Sequence, residues 1–136
     1  MLLTIERVII LKSIDIFSQI SENDLLNVAT QLSEINYAKN STIIKQDEIG
    51  TSMYIIVRGK VDVIIDGNTV ATLDEKSIFG ELAALDPEPR SATIKALEDT
   101  HVFKISSVVL YNLISEYPNV ARGIIKILCN RIRENK

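Results

Sequence analysis

Residues 53–73 read MYIIVRGKVDVIIDGNTVATL, and this stretch decides the fold. Met53–Val57, Val61–Ile65 and Thr69–Leu73 are short runs rich in β-branched side chains, separated by Arg58-Gly59 and by Asp66-Gly67-Asn68. Asp-Gly between two such runs is a strong hairpin signal, because both residues tolerate the positive φ of a tight turn. The same vocabulary extends outward. Thr42–Ile44, Ala92–Leu97 and Val102–Ile105 are further strand-like runs, with Ile49-Gly50 and the proline-bearing Asp86–Pro89 between them. Short strands punctuated by frequent turns predict an all-β sandwich, roll or barrel over residues 33–106.

On either side the period changes to a helical one. Thr4 to Lys12 carries Ile5, Val8, Ile9 and Leu11. Ser21 followed by Asp24 three residues on is a capping-box-like start for a helix bearing Leu25, Leu26, Val28, Ala29 and Leu32. Ile14, Ile16 and Phe17 form an apolar plug in the connection. After the strands, Ser106 or Ser107 caps a run with Val108, Val109, Leu110, Leu113 and Ile114. Pro118 suits the first turn of a last helix, where its missing N–H costs little. That helix bears Val120, Ile124, Ile127, Leu128 and Ile132 and ends in Arg131, Arg133 and Lys136. The predicted organisation is one domain over 1–136: a helical segment 1–32, a β-core 33–106 and C-terminal helices 107–136.

Composition narrows the function. With 136 residues, 46% hydrophobic and 24% charged, the chain fits one soluble globular domain. The core vocabulary is Ile-rich, with 22 Ile against 13 Leu. A net charge of -3 provides no global positive field for nucleic acid or an anionic membrane. One Cys and one His leave no internal disulfide and no metal site, so His101 reads as a surface or strand-edge residue and Cys129 as packing. Glycines at 50, 59, 67, 80 and 123 cannot spell a dinucleotide or Walker-type phosphate loop. No catalytic residue, metal ligand or catalytic cofactor is expected. No apolar run approaches the roughly 20 residues of a membrane span, and no signal peptide is visible. The expected location is the cytoplasm, or the cytoplasmic side of something larger.

One stretch is not generic core: FGELAALDPEPRSAT, residues 79–93. Gly80 lets the chain turn close to a ligand. Glu81 through Leu85 can form a helical turn with N–H groups free for an anion. Pro87 and Pro89 stiffen the loop that follows. Arg90 brings a planar, permanently charged fork suited to phosphate oxygens, and small Ser91 and Ala92 allow backbone N–H groups to approach the same anion. An anion that also bears a hydroxyl would use Glu81 as an acceptor, as a nucleotide with a free ribose 2′-OH would. Taken singly, Glu81 is a favourable dipole partner and Arg90 beside Glu88 a surface ion pair; their order and spacing favour the site.

These residues resemble the cyclic nucleotide-binding domain family. Residues 79–93 are similar to its phosphate-binding cassette, and Gly50, Tyr54, Ile56, Gly59 and Val61 to its run through adjacent strands. Leu11-Lys12-Ser13, Ile16-Phe17 and Ser21–Leu25 resemble its N-terminal helical segment. The resemblance implies a mainly β (α+β) fold, an eight-stranded β-roll or jelly-roll-type double-stranded β-helix with helices at both termini. It implies that Glu81 holds the ribose 2′-OH and Arg90 the cyclic phosphate. Backbone at Gly80, Leu82 and Ala92 would line the phosphate, Ser91 would touch phosphate or base, and Thr93 would face the nucleotide more loosely. Gly50, Tyr54 and Gly59 are assigned to turns and core.

Two positions depart from the family pattern: Asp47 and Pro87 stand where glycine is common. The base-capping residue would come from the C-terminal helix, where Asn130 and Arg133 are candidates, or from a partner chain. The implied ligand is cAMP ahead of cGMP. Occupancy would move the C-terminal helices and so reach an effector domain or a homodimer partner. The alternative is a non-binding scaffold or dimerisation domain of the same fold within a larger protein. Only 18 residues follow Pro118, too few for a helix-turn-helix, so no nucleic-acid partner and no direct membrane insertion is expected.

Overall fold

The computed structural model describes residues 1–134; Lys136, expected to close the last helix, lies outside them. The chain divides into two compact units, one of helices (residues 1–31 and 108 onward) and one of strands (32–107).

In the helical unit, α1 (Thr4–Lys12) buries Val8 and Leu11, and α2 (Glu22–Thr30) buries Leu25, Val28 and Ala29. Ser21 caps α2 as expected, its side chain accepting a bond from the Asp24 N–H at 3.2 Å. The helix stops at Thr30, before Leu32. Arg7 ties α1 to the end of α2 by donating to the Ala29 carbonyl at 2.8 Å. Between them Ile14, Ile16 and Phe17 are buried around a single 3-10 turn, so the apolar plug forms. After the strands come α4 (Ser107–Glu116), which buries Leu110 and Leu113, and α5 (Pro118–Glu134), which buries Val120 and Ile124. Pro118 stands at the first position of α5, where it has no helical bond to lose. Gly123 lets α5 approach the 3-10 turn closely: a Cβ there would lie 2.8 Å from the Cα of Ile16.

The other unit holds ten strands: β1 (Ser33–Tyr37), β2 (Thr42–Ile44), β3 (Ile49–Gly50), β4 (Ser52–Arg58), β5 (Val61–Ile65), β6 (Asn68–Leu73), β7 (Ile78–Phe79), β8 (Glu88–Pro89), β9 (Thr93–Ala96) and β10 (Thr100–Ser106). Eight of them make two four-stranded antiparallel sheets, ordered β1-β10-β4-β7 and β2-β9-β5-β6, and β3 pairs with β8 alone. This is the expected roll of eight strands with one short ladder added. Asp66 and Gly67 take φ of 51° and 82°, the left-handed pair that closes the β5–β6 hairpin.

Alternation along the strands sends Ile44, Tyr54, Ile56, Val61, Phe79, Ile94 and Val102 into one buried cluster. Tyr54 and Phe79 stack there with ring centroids 5.1 Å apart. Burial and a bond with Tyr54 push the Tyr37 hydroxyl above its ordinary pKa. His101 departs from expectation. It is buried in β10, an interior strand, with Nε2 3.0 Å from a Glu34 carboxylate oxygen on β1. A polar partner from the neighbouring strand makes burial of the imidazole tolerable.

Candidate functional site

The distinctive 79–93 stretch folds as read. β7 ends at Phe79, and Gly80 adopts φ 79° and caps α3 (Glu81–Leu85). Only glycine enters that conformation without strain. A side chain at Gly80 would also crowd the Ser52 carbonyl, 2.9 Å from the position of its Cβ. The α3 turn buries Glu81, Ala83 and Ala84 and turns Leu82 outward. A helix leaves its leading N–H groups without intrahelical acceptors, and here these include Leu82 and Ala83.

Beyond α3 the chain passes Pro87 and pairs through β8 with β3, Ile49 opposite Pro89 and Gly50 opposite Glu88. The backbone of Arg90 is held on both sides. Its N–H donates to the Glu48 carbonyl at 2.8 Å, and its carbonyl accepts from the Asp47 N–H at 2.9 Å. Asp47 takes the glycine-like φ of 73° itself, so the loop keeps its course despite the substitution for glycine. A short polar side chain adopts that conformation at modest cost.

The Arg90 side chain is only 9% exposed. Its Nη2 donates to the Ser52 carbonyl at 2.8 Å and its Nη1 to the Gly80 carbonyl at 3.1 Å. Reading Arg90 as a surface ion pair with Glu88 therefore fails: the guanidinium is clamped by main-chain oxygens at the mouth of the roll. Burial lowers its pKa from the ordinary value, opposed by Tyr54 and Glu81 nearby. Glu81 is 1% exposed, so a buried carboxylate and a buried guanidinium share this corner. The clamp uses one N–H on each of two guanidinium nitrogens and leaves the rest of a five-donor fork.

Gly50 is a contact residue of Arg90 that sequence reasoning missed. Read as a turn, it lies flat against the guanidinium, where a Cβ would fall inside the Nε and Cζ of Arg90. No local signal announces this contact between residues 40 apart. Of the other site residues, Ser91 is exposed, and Ala92 and Thr93 are half-buried. Thr93 Oγ1 accepts a bond from the Gln46 N–H at 3.0 Å, which fixes its side chain toward β2. Gly80, Glu81, Leu82, Arg90, Ser91, Ala92 and Thr93 thus lie on one continuous segment, in which Arg90 bonds back to the Gly80 carbonyl and Ser91, Ala92 and Thr93 follow beyond. Asn130 and Arg133, the candidate base caps, bond each other on exposed α5, Arg133 Nη1 to Asn130 Oδ1 at 3.2 Å.

Comparison with known proteins places the chain in a family. The model of the family described as cyclic nucleotide-binding domain matches residues 34–117. A CRP-like cAMP-activated global transcriptional regulator of Mycobacterium tuberculosis is 25% identical over 129 residues, covering 91% of this chain and 58% of the regulator. A cGMP-dependent protein kinase of Plasmodium berghei is 36% identical over 105 residues, covering 74% of this chain and 12% of the kinase. The solved structure of the Thermus thermophilus catabolite activator protein superposes with a TM-score of 0.83 and 27% identity, over 89% of this chain and 59% of the other. The chain belongs to the cyclic nucleotide-binding domain family.

It spans 58% of the curated regulator and 12% of the kinase, so each of these relatives carries further sequence. The expected exclusion of nucleic acid finds no support here, since one of these relatives is a transcriptional regulator. Among the described residues no helix is long and apolar enough to cross a membrane.

Proposed function

We propose that this chain is a regulatory sensor that binds a cyclic nucleotide in the 79–93 cassette, cAMP ahead of cGMP, and performs no catalysis itself. The observation that carries this reading is the pair of buried, opposite charges, Glu81 and Arg90, nine residues apart on one segment. A cyclic nucleotide has a single negative phosphate and a ribose hydroxyl. The free guanidinium N–H groups and the leading amides of α3 would take the phosphate, and Glu81 would accept from the 2′-OH. Closing these contacts in a largely dehydrated corner strengthens each of them.

The preference for cAMP draws on likeness to a cAMP-activated regulator over 91% of the chain; likeness to a cGMP-dependent kinase keeps cGMP in the test. The whole of 1–136 acts as one sensor domain in this reading, with α4 and α5 moving when the cassette fills. Exposed Ile125 and Ile132 on α5, 60% and 63% accessible, offer a face for an effector domain or a second copy. The reading places the protein in the cytoplasm. Calorimetric titration with cAMP and with cGMP tests the proposal. Saturable binding, tighter for cAMP, is expected; no saturable binding to either would favour the scaffold alternative.

A further inference from the structure

The inward face of the β1-β10-β4-β7 sheet carries a cation for which the nucleotide contacts leave no role. Lys104 of β10 stands opposite Tyr54 of β4, and Tyr54 stands opposite Phe79 of β7, the residue before Gly80. Residues on one row of a sheet project to the same side. That side is the inner one, because Tyr54 and Phe79 both belong to the buried cluster. The Lys104 ammonium accordingly lies over the Tyr54 ring, 5.9 Å from its centroid. Lys104 is half-buried, and among the described residues no carboxylate lies within ion-pair distance of it. Packing alone gives no reason for a lysine here, since a cation–π contact offsets only part of the hydration a half-buried ammonium loses.

The formal charges of the cassette give Lys104 its role. Glu81 and Arg90 are both buried and cancel, so a ligand with one negative charge would meet a corner of zero net charge. Lys104 makes the sum positive. It is separated from β7 by two strand spacings, roughly 10 Å, across the stacked Tyr54 and Phe79 rings.

We propose that Lys104 is an affinity-determining residue of the cassette site, which acts through its field across the Tyr54–Phe79 pair to retain a ligand bearing a single negative charge. This rests on the cyclic nucleotide reading of the site. At about 10 Å and an effective dielectric of about 35, two unit charges change a binding constant about fivefold.

The test is calorimetric titration of cAMP and cGMP into the full chain and into K104R, K104M and K104E, each at about 0.01 and 0.1 M ionic strength, where the screening length falls from about 30 to about 10 Å. Thermal unfolding without nucleotide reports on the fold of each variant. K104R should bind as the wild type does. K104M, which keeps the aliphatic bulk, should bind about fivefold more weakly at low salt and lose much of the wild type's salt dependence. K104E should bind about 25-fold more weakly, the square of the single-charge effect. If K104E does not fold, K104M and K104R decide the matter. A wild type that binds while K104M matches it in affinity and salt dependence overturns the inference alone. A K104M that is weaker with its salt dependence intact also overturns it, since that is a packing effect. A wild type that binds neither nucleotide overturns the reading of the site, and the role of Lys104 with it.

Discussion

Gly50→Ala is the most searching perturbation of the Arg90 clamp, because it removes no charged group. A methyl at position 50 would overlap Nε and Cζ of Arg90, so the guanidinium must swing away. Moving it by the ~1.5 Å needed for van der Waals contact breaks the bonds to Ser52 O and Gly80 O. Each is a bond from a charged donor, for which about 1.5–3 kcal/mol is typical. Water can replace part of this at the mouth of the roll, so the expected loss of folding stability is roughly 2–4 kcal/mol. Nucleotide affinity should fall more than tenfold, because the fork no longer points where the phosphate would sit. Urea unfolding monitored by circular dichroism gives the first number and calorimetry the second. Gly67→Ala is the control. Its Cβ would meet nothing within 4 Å but its φ is +82°, so it should cost about 1 kcal/mol of stability and leave binding unchanged. A Gly50→Ala protein that matches the wild type in both measurements would refute the cradle.

Four further outcomes follow from particular residues. Glu81→Gln keeps the shape of the side chain and should weaken cyclic nucleotide binding about tenfold or more, by reducing a charge-assisted bond to a neutral one; equal affinity would remove Glu81 from the site. Asp47→Gly should stabilise the fold by up to about 1 kcal/mol in urea unfolding, because Asp47 holds φ 73° at a cost glycine does not bear. Gly123→Ala should lower the thermal midpoint despite alanine's better helix propensity, because the new methyl meets the Ile16 backbone at 2.8 Å; overpacking of this kind costs about 1–3 kcal/mol. For Tyr37 the folded pKa is raised, so the folded state holds its proton more tightly than the unfolded chain. Its contribution is complete below about pH 10 and is lost as pH rises through the folded value, and a stability–pH curve of Tyr37→Phe should decline less steeply there.

Much of the roll was legible because its longer strands are bounded by turn chemistry. Thr42–Ile44 and Val61–Ile65 begin and end where the β-branched runs do. β1 was missed because Ser33–Tyr37 holds a single β-branched residue, although the alternation of Glu34 and Asn36 with Ile35 and Tyr37 is that of a half-buried strand. The Glu34 carboxylate is nonetheless buried against His101, a partner 67 residues away, and the same distant contact hid the burial of His101. The two-residue strands β3, β7 and β8 carry no periodicity at all; tertiary pairing alone makes them strands. The cassette could be read through to Thr93 because its elements are local: a glycine, a helical turn, two prolines and an arginine. The clamp on Arg90 is not local. Ser52 O and Gly50 reach the arginine from 38 and 40 residues away, and a small residue makes no signal in sequence when its purpose is to leave room.

The central claim is that the buried Arg90 fork holds the phosphate of a cyclic nucleotide. Calorimetric titration of cAMP into the wild type and Arg90→Ala tests it most directly. Saturable binding to the wild type and a loss of more than tenfold in the variant are expected, because truncating one partner of a buried charge pair costs roughly 2–5 kcal/mol. Equal affinity in the two proteins would contradict it.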